Sequence, residues 1–84
     1  MKLSVYSLKK ILFQGEALSL NCKSAMGEIT VLDNHETFIG VLKMGVMKVI
    51  EKPFDGAQGK EHFFEVNSGF LEVRPGNEVR VLVD

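Results

Sequence analysis

Residues 70–84 predict a single β-hairpin, which constrains the fold of this 84-residue chain more than any other feature. The loop Pro75-Gly76-Asn77 consists of typical turn residues. With that loop, apolar residues share one side of the hairpin and opposite charges pair on the other side. A loop one residue shorter would place Val73 opposite Glu78 and mix the two sides, so the pattern specifies the register. The predicted pairs are Arg74 with Glu78, Val73 with Val79, Glu72 with Arg80, Leu71 with Val81 and Phe70 with Leu82.

Short strand patterns bounded by turn residues recur along the rest of the chain. They predict strands at 3–8, 17–23, 28–32, 46–50 and 63–66. The alternation within 17–23 predicts that Leu18, Leu20 and Cys22 share one face. The side chains of residues 33–36 favour a turn, and residues 53–61 predict a long polar loop.

Residues 37–44 fit two patterns. Phe38, Ile39 and Leu42 would suit one face of a short helix, but Gly40 and the flanking strands favour a strand or irregular coil.

Many short strands with glycine and proline turns predict an all-β fold, a small sandwich or barrel. No linker or repeat divides the chain, so we expect one domain over residues 1–84.

Composition argues against several classes of partner. The net charge of −1, with lysine and arginine scattered singly, gives no field for binding nucleic acid or an acidic membrane surface. The single cysteine, Cys22, permits no internal disulfide and suits a reducing compartment. No apolar run approaches the ~20 residues of a membrane span, and the N-terminal stretch does not have the pattern of a signal peptide.

No set of residues predicts a catalytic, cofactor or metal site. His35, His62 and Cys22 do not match any zinc spacing. Residues 56–60 lack the first glycine and the magnesium-binding hydroxyl of a phosphate loop. A set of Ser68, His62 and Asp55 has no strand-to-helix elbow to expose a nucleophile. Two alternatives remain: a biotin- or lipoyl-type carrier modified on Lys43 or Lys48, and a freestanding ligand-binding sandwich.

Two groups of residues predict contact surfaces instead. Glu28, Asp33 and His35, with the Asn34 amide, surround one short strand and the loop after it. Their charges and hydrogen-bonding groups suit a polar partner loop. Phe70 and Leu82 form an apolar pair on the charged side of the hairpin, which another strand or a partner should cover.

Several segments, in order along the whole chain, resemble the epsilon subunit of F-type ATP synthases. They are Leu3-Ser4-Val5-Tyr6-Ser7, Leu12-Phe13-Gln14-Gly15-Glu16, the stretch from Gly27 to His35, the stretch from Lys43 to Val49 and the stretch from Ser68 to Asn77. The resemblance implies a flattened two-sheet β-sandwich of short antiparallel strands, without catalytic activity. It further implies a place in the central rotating stalk, on the cytoplasmic face of the energy-transducing membrane and without insertion into it.

The resemblance also implies partners and contact residues. In that family this domain binds the gamma-subunit shaft and sits on the membrane rotor ring that carries protons or sodium ions. Carried over, Glu28 is the ring-facing carboxylate and His35 the loop histidine, while Gly27, Asp33 and Asn34 shape that edge. For the shaft we expect Tyr6, Phe70 and Leu82, on the ground that they are exposed.

The sequence departs from the family pattern at two kinds of position. Asn34 replaces the usual glycine before the histidine, and Thr37 replaces the usual proline after it. Asn34 should preserve the loop, because asparagine tolerates the positive φ that glycine supplies. Most members continue into a two-helix C-terminal domain that inhibits ATP hydrolysis; as the sequence ends at Asp84, we expect no such brake within it.

Overall fold

The computed structural model describes residues 1–53 and 58–84, and all its regular structure is β-strand. Predicted strand 3–8 ends early, and residues 37–44 contain a strand rather than a helix. The predicted loop 53–61 and the 56–60 segment lie partly outside the described residues, and Asp55 lies wholly outside them. The strands are β1 (Lys2–Tyr6), β2 (Ile11–Ser24), β3 (Gly27–Leu32), β4 (Phe38–Leu42), β5 (Gly45–Glu51), β6 (Glu61–Val66), β7 (Gly69–Arg74) and β8 (Glu78–Val83).

The long strand β2 belongs to both layers of the sandwich. Its first half pairs with β1, and β8, β7 and β4 continue that layer. Its second half pairs with β3 on one edge and with β5 and then β6 on the other. A bridge between Ser24 and Leu42 joins β2 back to β4, which closes a ring of five strands: β2, β1, β8, β7 and β4. The expected two-sheet sandwich is confirmed, except that β1 and β8 run parallel and β2 is 14 residues long.

A β-bulge in β2 makes one side-chain prediction wrong. Ala17 pairs with Glu51 and Ser19 with Ile50, so Leu18 is the extra residue on its strand. A bulge reverses the alternation of side chains. Ala17 is therefore buried before the bulge and Leu20 and Cys22 after it, whereas Leu18 is 40% exposed.

The closing hairpin is confirmed pair by pair, from Phe70 opposite Leu82 to Arg74 opposite Glu78. Gly76 and Asn77 adopt positive φ of 82° and 59°, as a tight loop after proline requires. The Arg74 guanidinium donates to the Glu78 carboxylate at 3.0 Å. Glu72 and Arg80 also face each other across the hairpin, but they are not among the ion pairs that the described residues form.

The core lies between the two layers and draws on every strand. Because apolar residues alternate along each strand, each contributes inward-facing side chains to one continuous cluster. The largest fully buried members are Met1, Leu3, Leu20, Met47, Leu71, Val5, Val31, Val49, Val79 and Val81.

Candidate functional site

The β3–β4 loop and the hairpin loop contact each other at one end of the molecule. The backbone N–H of Asn34 donates to the Asn77 side-chain Oδ1 at 2.7 Å. The Asn77 Nδ2 donates to the Asp33 carboxylate at 3.3 Å, and the Asn77 carbonyl accepts from the Lys2 N–H at 2.9 Å. We call residues 33–36 and 75–77 together the polar end.

Asp33 also binds the N-terminal ammonium group of Met1, which is buried beside it. That ammonium donates to the Ala17 carbonyl at 2.9 Å and lies 3.5 Å from the Glu16 carboxylate. Hydrogen bonds from the ammonium and from the Asn77 amide stabilise the ionised carboxylate. They lower the pKa of Asp33 below its ordinary value of 3.8.

His35 is exposed at the tip of the same loop. Its Nδ1 lies 2.9 Å from the Glu36 carbonyl oxygen. Because a carbonyl can only accept, this contact assigns the proton to Nδ1 and leaves Nε2 as an acceptor in the neutral ring. The ring packs at 5.3 Å from the Phe38 ring, which holds it against the sandwich. Asn34 before it has φ 60°, so the expected conformation is confirmed.

Gly27 and Glu28 lie at the opposite end of β3 from the polar end. Glu28 is exposed and pairs in register with Lys23 on β2. With six residues in β3 and a rise of about 3.4 Å per residue, the two ends lie roughly 17 Å apart. The five expected ring-facing residues therefore do not form one cluster. Gly27 and Glu28 begin β3, and the other three residues follow its end. Among the described residues, the only strand that pairs with β3 is β2.

The three expected shaft-facing residues do come together. Tyr6 pairs with Leu82 and Leu82 with Phe70 across β1, β8 and β7. Val41 of β4, opposite Phe70, extends them by one strand. Phe70 is 56% exposed, Val41 52% and Leu82 41%, whereas Tyr6, expected to be exposed, is half-buried. We call these four residues the apolar row.

Sequence reasoning missed Val41, Leu8 and Asn77. Leu8, in the turn after β1, lines one surface depression together with Val41, Phe70 and Leu82. The missed signal for Val41 was the strand alternation in 38–42, which places it outward if the segment is extended. The role of Asn77 depends on a contact 43 residues away in the chain, for which a local pattern gives no signal.

The described residues do not assemble the other candidate sites. They contain no group of three or more His, Cys, Asp or Glu side chains able to hold a metal ion. His62 Nε2 lies 2.8 Å from the Glu51 carboxylate, with its ring between Phe13 and Phe64. Cys22 is buried, and burial raises the pKa of its thiol to about 11.

Neither carrier lysine lies at the tip of a tight hairpin between two paired strands. Lys48 lies within β5, and its ammonium pairs with the Glu61 carboxylate at 3.3 Å. Lys43 follows β4, where its backbone N–H donates to the Lys23 carbonyl at 2.9 Å. The described part of the chain has no helix long and apolar enough to cross a membrane.

The fold defines a class, a small β-sandwich domain, and its described residues place a polar end, the β3 strand edge and an apolar row at the surface. The chain belongs to the ATP synthase delta/epsilon chain family, whose β-sandwich domain model matches residues 1–84. That match confirms the family resemblance and does not favour a carrier domain.

Two curated relatives are named ATP synthase epsilon chain. The chain is similar to the ATP synthase epsilon chain of Clostridium novyi (strain NT), with 35% identity over 83 residues, 99% of this chain and 59% of the relative. It is 33% identical over 84 residues to the ATP synthase epsilon chain of Nitrosococcus oceani, covering 100% of this chain and 56% of that one. The chain thus spans little more than half the length of these relatives.

Solved structures show the same fold. A chain in the Euglena gracilis mitochondrial ATP synthase, solved as OSCP/F1/c-ring in rotational state 1, matches with a TM-score of 0.83 at 23% identity, covering 99% of this chain and 49% of that one. A chain in the Tetrahymena thermophila mitochondrial ATP synthase central stalk and c-ring matches with a TM-score of 0.76 at 17% identity, covering 99% and 62%.

Proposed function

We propose that this chain acts as the epsilon-type subunit in the central stalk of an F-type ATP synthase. In this role it catalyses no reaction and holds the gamma shaft to the membrane rotor ring, as a peripheral part of the complex. Support comes from the family match over residues 1–84, from relatives named ATP synthase epsilon chain, and from like folds in structures that contain a c-ring or central stalk.

The apolar row is the observation that carries the proposal, and we assign it to the shaft. Three exposed apolar side chains and the half-buried Tyr6 ring cross four neighbouring strands. Among the described residues nothing covers this apolar band. At about 4.8 Å between strands the band is about 14 Å long. That length suits about ten residues of an amphipathic helix, at a rise of about 1.5 Å per residue. Glu72 and Arg80 border Phe70 and Leu82 and would pair with charges flanking the partner's apolar stripe.

We assign the β3 edge to the rotor ring. Glu28 at one end of β3 and His35 beyond the other are both exposed. The two ends of β3 lie roughly 17 Å apart, which exceeds what one small loop would cover. A ring of identical subunits repeats the same polar loop, so two neighbouring loops would meet the two ends of β3. Polar contacts of this kind set orientation more than affinity.

The closed ring of strands suits a part that transmits force. Ladder hydrogen bonds connect β1, β2, β4, β7 and β8 around the core. A close-packed core has low compressibility and passes strain through the domain. Shaft and ring would therefore move together when each binds a different side of the sandwich.

Gel filtration with the cognate gamma subunit at micromolar concentration tests the shaft assignment. We expect the wild-type chain to co-elute with gamma. Phe70→Asp should weaken binding by more than tenfold, because a carboxylate would be buried against an apolar partner. Since Phe70 is more than half exposed, the variant should stay folded.

Phe63→Asp is the matched control. Phe63 is 61% exposed on β6, away from the apolar row, so the same substitution there should leave gamma binding unchanged. No complex with the wild-type chain would reject the proposal. Equal weakening by both variants would reject the assignment of the apolar row.

A further inference from the structure

We propose that Asn77 is a positioning residue that sets the β3–β4 loop for its contact with the rotor ring, an inference that rests on the proposed function. Asn77 itself contacts neither the ring nor the shaft in this proposal. It acts by fixing where the Asp33 carboxylate and the His35 ring lie.

The hairpin loop turns Asn77 toward the β3–β4 loop. Gly76 and Asn77 have φ values of 82° and 59°, both in the left-handed region. Asparagine enters that region at lower cost than other side-chain-bearing residues. The backbone carbonyl of Asn77 accepts from the Lys2 N–H at 2.9 Å, which ties the hairpin loop to β1.

The Asn77 side chain then holds two consecutive residues of the neighbouring loop. Its Oδ1 accepts from the Asn34 N–H at 2.7 Å, and its Nδ2 donates to Asp33 Oδ1 at 3.3 Å. An N–H needs an acceptor and a carboxylate needs a donor, so the orientation of the amide group is determined by its partners. Asparagine supplies both roles from one short side chain.

These bonds leave two acceptors at the polar end for a partner. Within the described residues, the hydrogen bonds of Asp33 all use Oδ1, so Oδ2 is available. His35 uses Nδ1 against the Glu36 carbonyl, so Nε2 is available as well. The partner surface should therefore offer hydrogen-bond donors, such as side-chain amides, cations or backbone N–H groups of a polar loop.

Asn77→Gly removes the side-chain bonds and keeps the backbone conformation, because glycine adopts positive φ freely. Asn77→Asp keeps the acceptor for the Asn34 N–H but replaces the donor to Asp33 with a second carboxylate. Asn67→Gly is the matched control, since Asn67 is an exposed asparagine in the turn between β6 and β7. Each chain is measured for amide hydrogen exchange and, in complex with gamma, for affinity to the detergent-solubilised cognate rotor ring.

We expect faster exchange of the Asn34 amide in Asn77→Gly and ring affinity about tenfold lower, which corresponds to about 1.4 kcal/mol. Asn77→Asp should retain Asn34 protection but still lose ring affinity, and Asn67→Gly should match the wild type. Gamma binding should not change in any variant. A purely structural role would move the exchange rates without moving ring affinity.

Two other outcomes would overturn the inference in different ways. If wild type binds the ring and Asn77→Gly binds equally well despite a freely exchanging Asn34 amide, the positioning role is wrong and the proposed function stands. If the wild-type complex does not bind the ring, the ring assignment itself is wrong, and the role of Asn77 falls with it.

Discussion

Burial controls the chemistry of Cys22. Its thiol lies in the core, where the charged thiolate is poorly solvated, and burial raises its pKa to about 11. Because the thiolate is the reactive form, we expect almost no reaction with a thiol reagent at about pH 8 in the folded state. One full equivalent should react once the chain is unfolded in guanidinium. Fast stoichiometric labelling of the native chain would contradict this assignment.

Asp33 makes the stability of the chain depend on acid pH. Its folded-state pKa is lowered, first by the hydrogen bond from the Met1 ammonium and then by the one from Asn77. A depressed pKa means that the contribution to stability is present above the unfolded value of 3.8 and is lost as the pH falls through the folded value. Asp33→Asn should therefore lower the melting temperature at neutral pH.

The difference between Asp33→Asn and wild type should shrink as the pH falls below 3.8. Thermal melts followed by circular dichroism across the acid range measure it. Asp84→Asn, with its carboxylate at the other end of β8, serves as the control. A difference that stays constant down to the lowest pH would show that Asp33 contributes through packing and not through its charge.

Local sequence rules predicted the conformation of Asn34 but not the contacts of Asn77. The positive φ of Asn34 follows from the conformational tolerance of asparagine, and the structure confirms it. The bonds of Asn77 join two loops 43 and 44 residues apart. Such a contact exists only after the layers have packed, so the sequence around Asn77 does not predict it.

At the scale of strands, the hairpin was predictable because both of its faces constrain the register. Changing the register would exchange buried valines for charged side chains on each strand, and the observed register matches the prediction. The bulge at Leu18 was not predictable in this way. Leucine suits either side of a strand, and the register shift at Leu18 arises in the pairing of β2 with β5, a segment far away in the chain.

Gly69 begins β7 where two backbones approach closely. A Cβ atom built at Gly69 would lie 2.1 Å from the Leu82 carbonyl oxygen, and backbone cannot move aside as a flexible side chain can. We expect Gly69→Ala to reduce the free energy of unfolding by about 1–3 kcal/mol. Urea unfolding monitored by circular dichroism gives this value.

Gly15→Ala provides the comparison for that measurement. A Cβ atom at Gly15 would meet the Phe13 ring at 3.8 Å, an ordinary van der Waals distance. It should change the stability by much less than Gly69→Ala. Similar losses in both variants would mean that glycine is needed for chain flexibility and not for the close approach at Gly69.

At the scale of the whole molecule, the sequence predicted the class of fold but not its closure. Alternating strands and turn residues predicted an all-β fold, a small sandwich or barrel, and the family resemblance implied the sandwich. The parallel pairing of β1 with β8 and the sharing of β2 between layers bring together segments far apart in the chain. The same closure joins Tyr6 to Leu82 and Phe70, so the apolar row becomes visible only in the folded domain.

Coupled ion pumping tests most directly whether this sandwich holds the shaft to the ring. Membrane vesicles carrying the cognate F-type synthase, depleted of its epsilon subunit, are supplied with the purified chain and ATP. We predict that the wild-type chain and Phe63→Asp restore ion pumping for each ATP hydrolysed, whereas Phe70→Asp does not. Pumping that is the same with and without the wild-type chain would contradict the account.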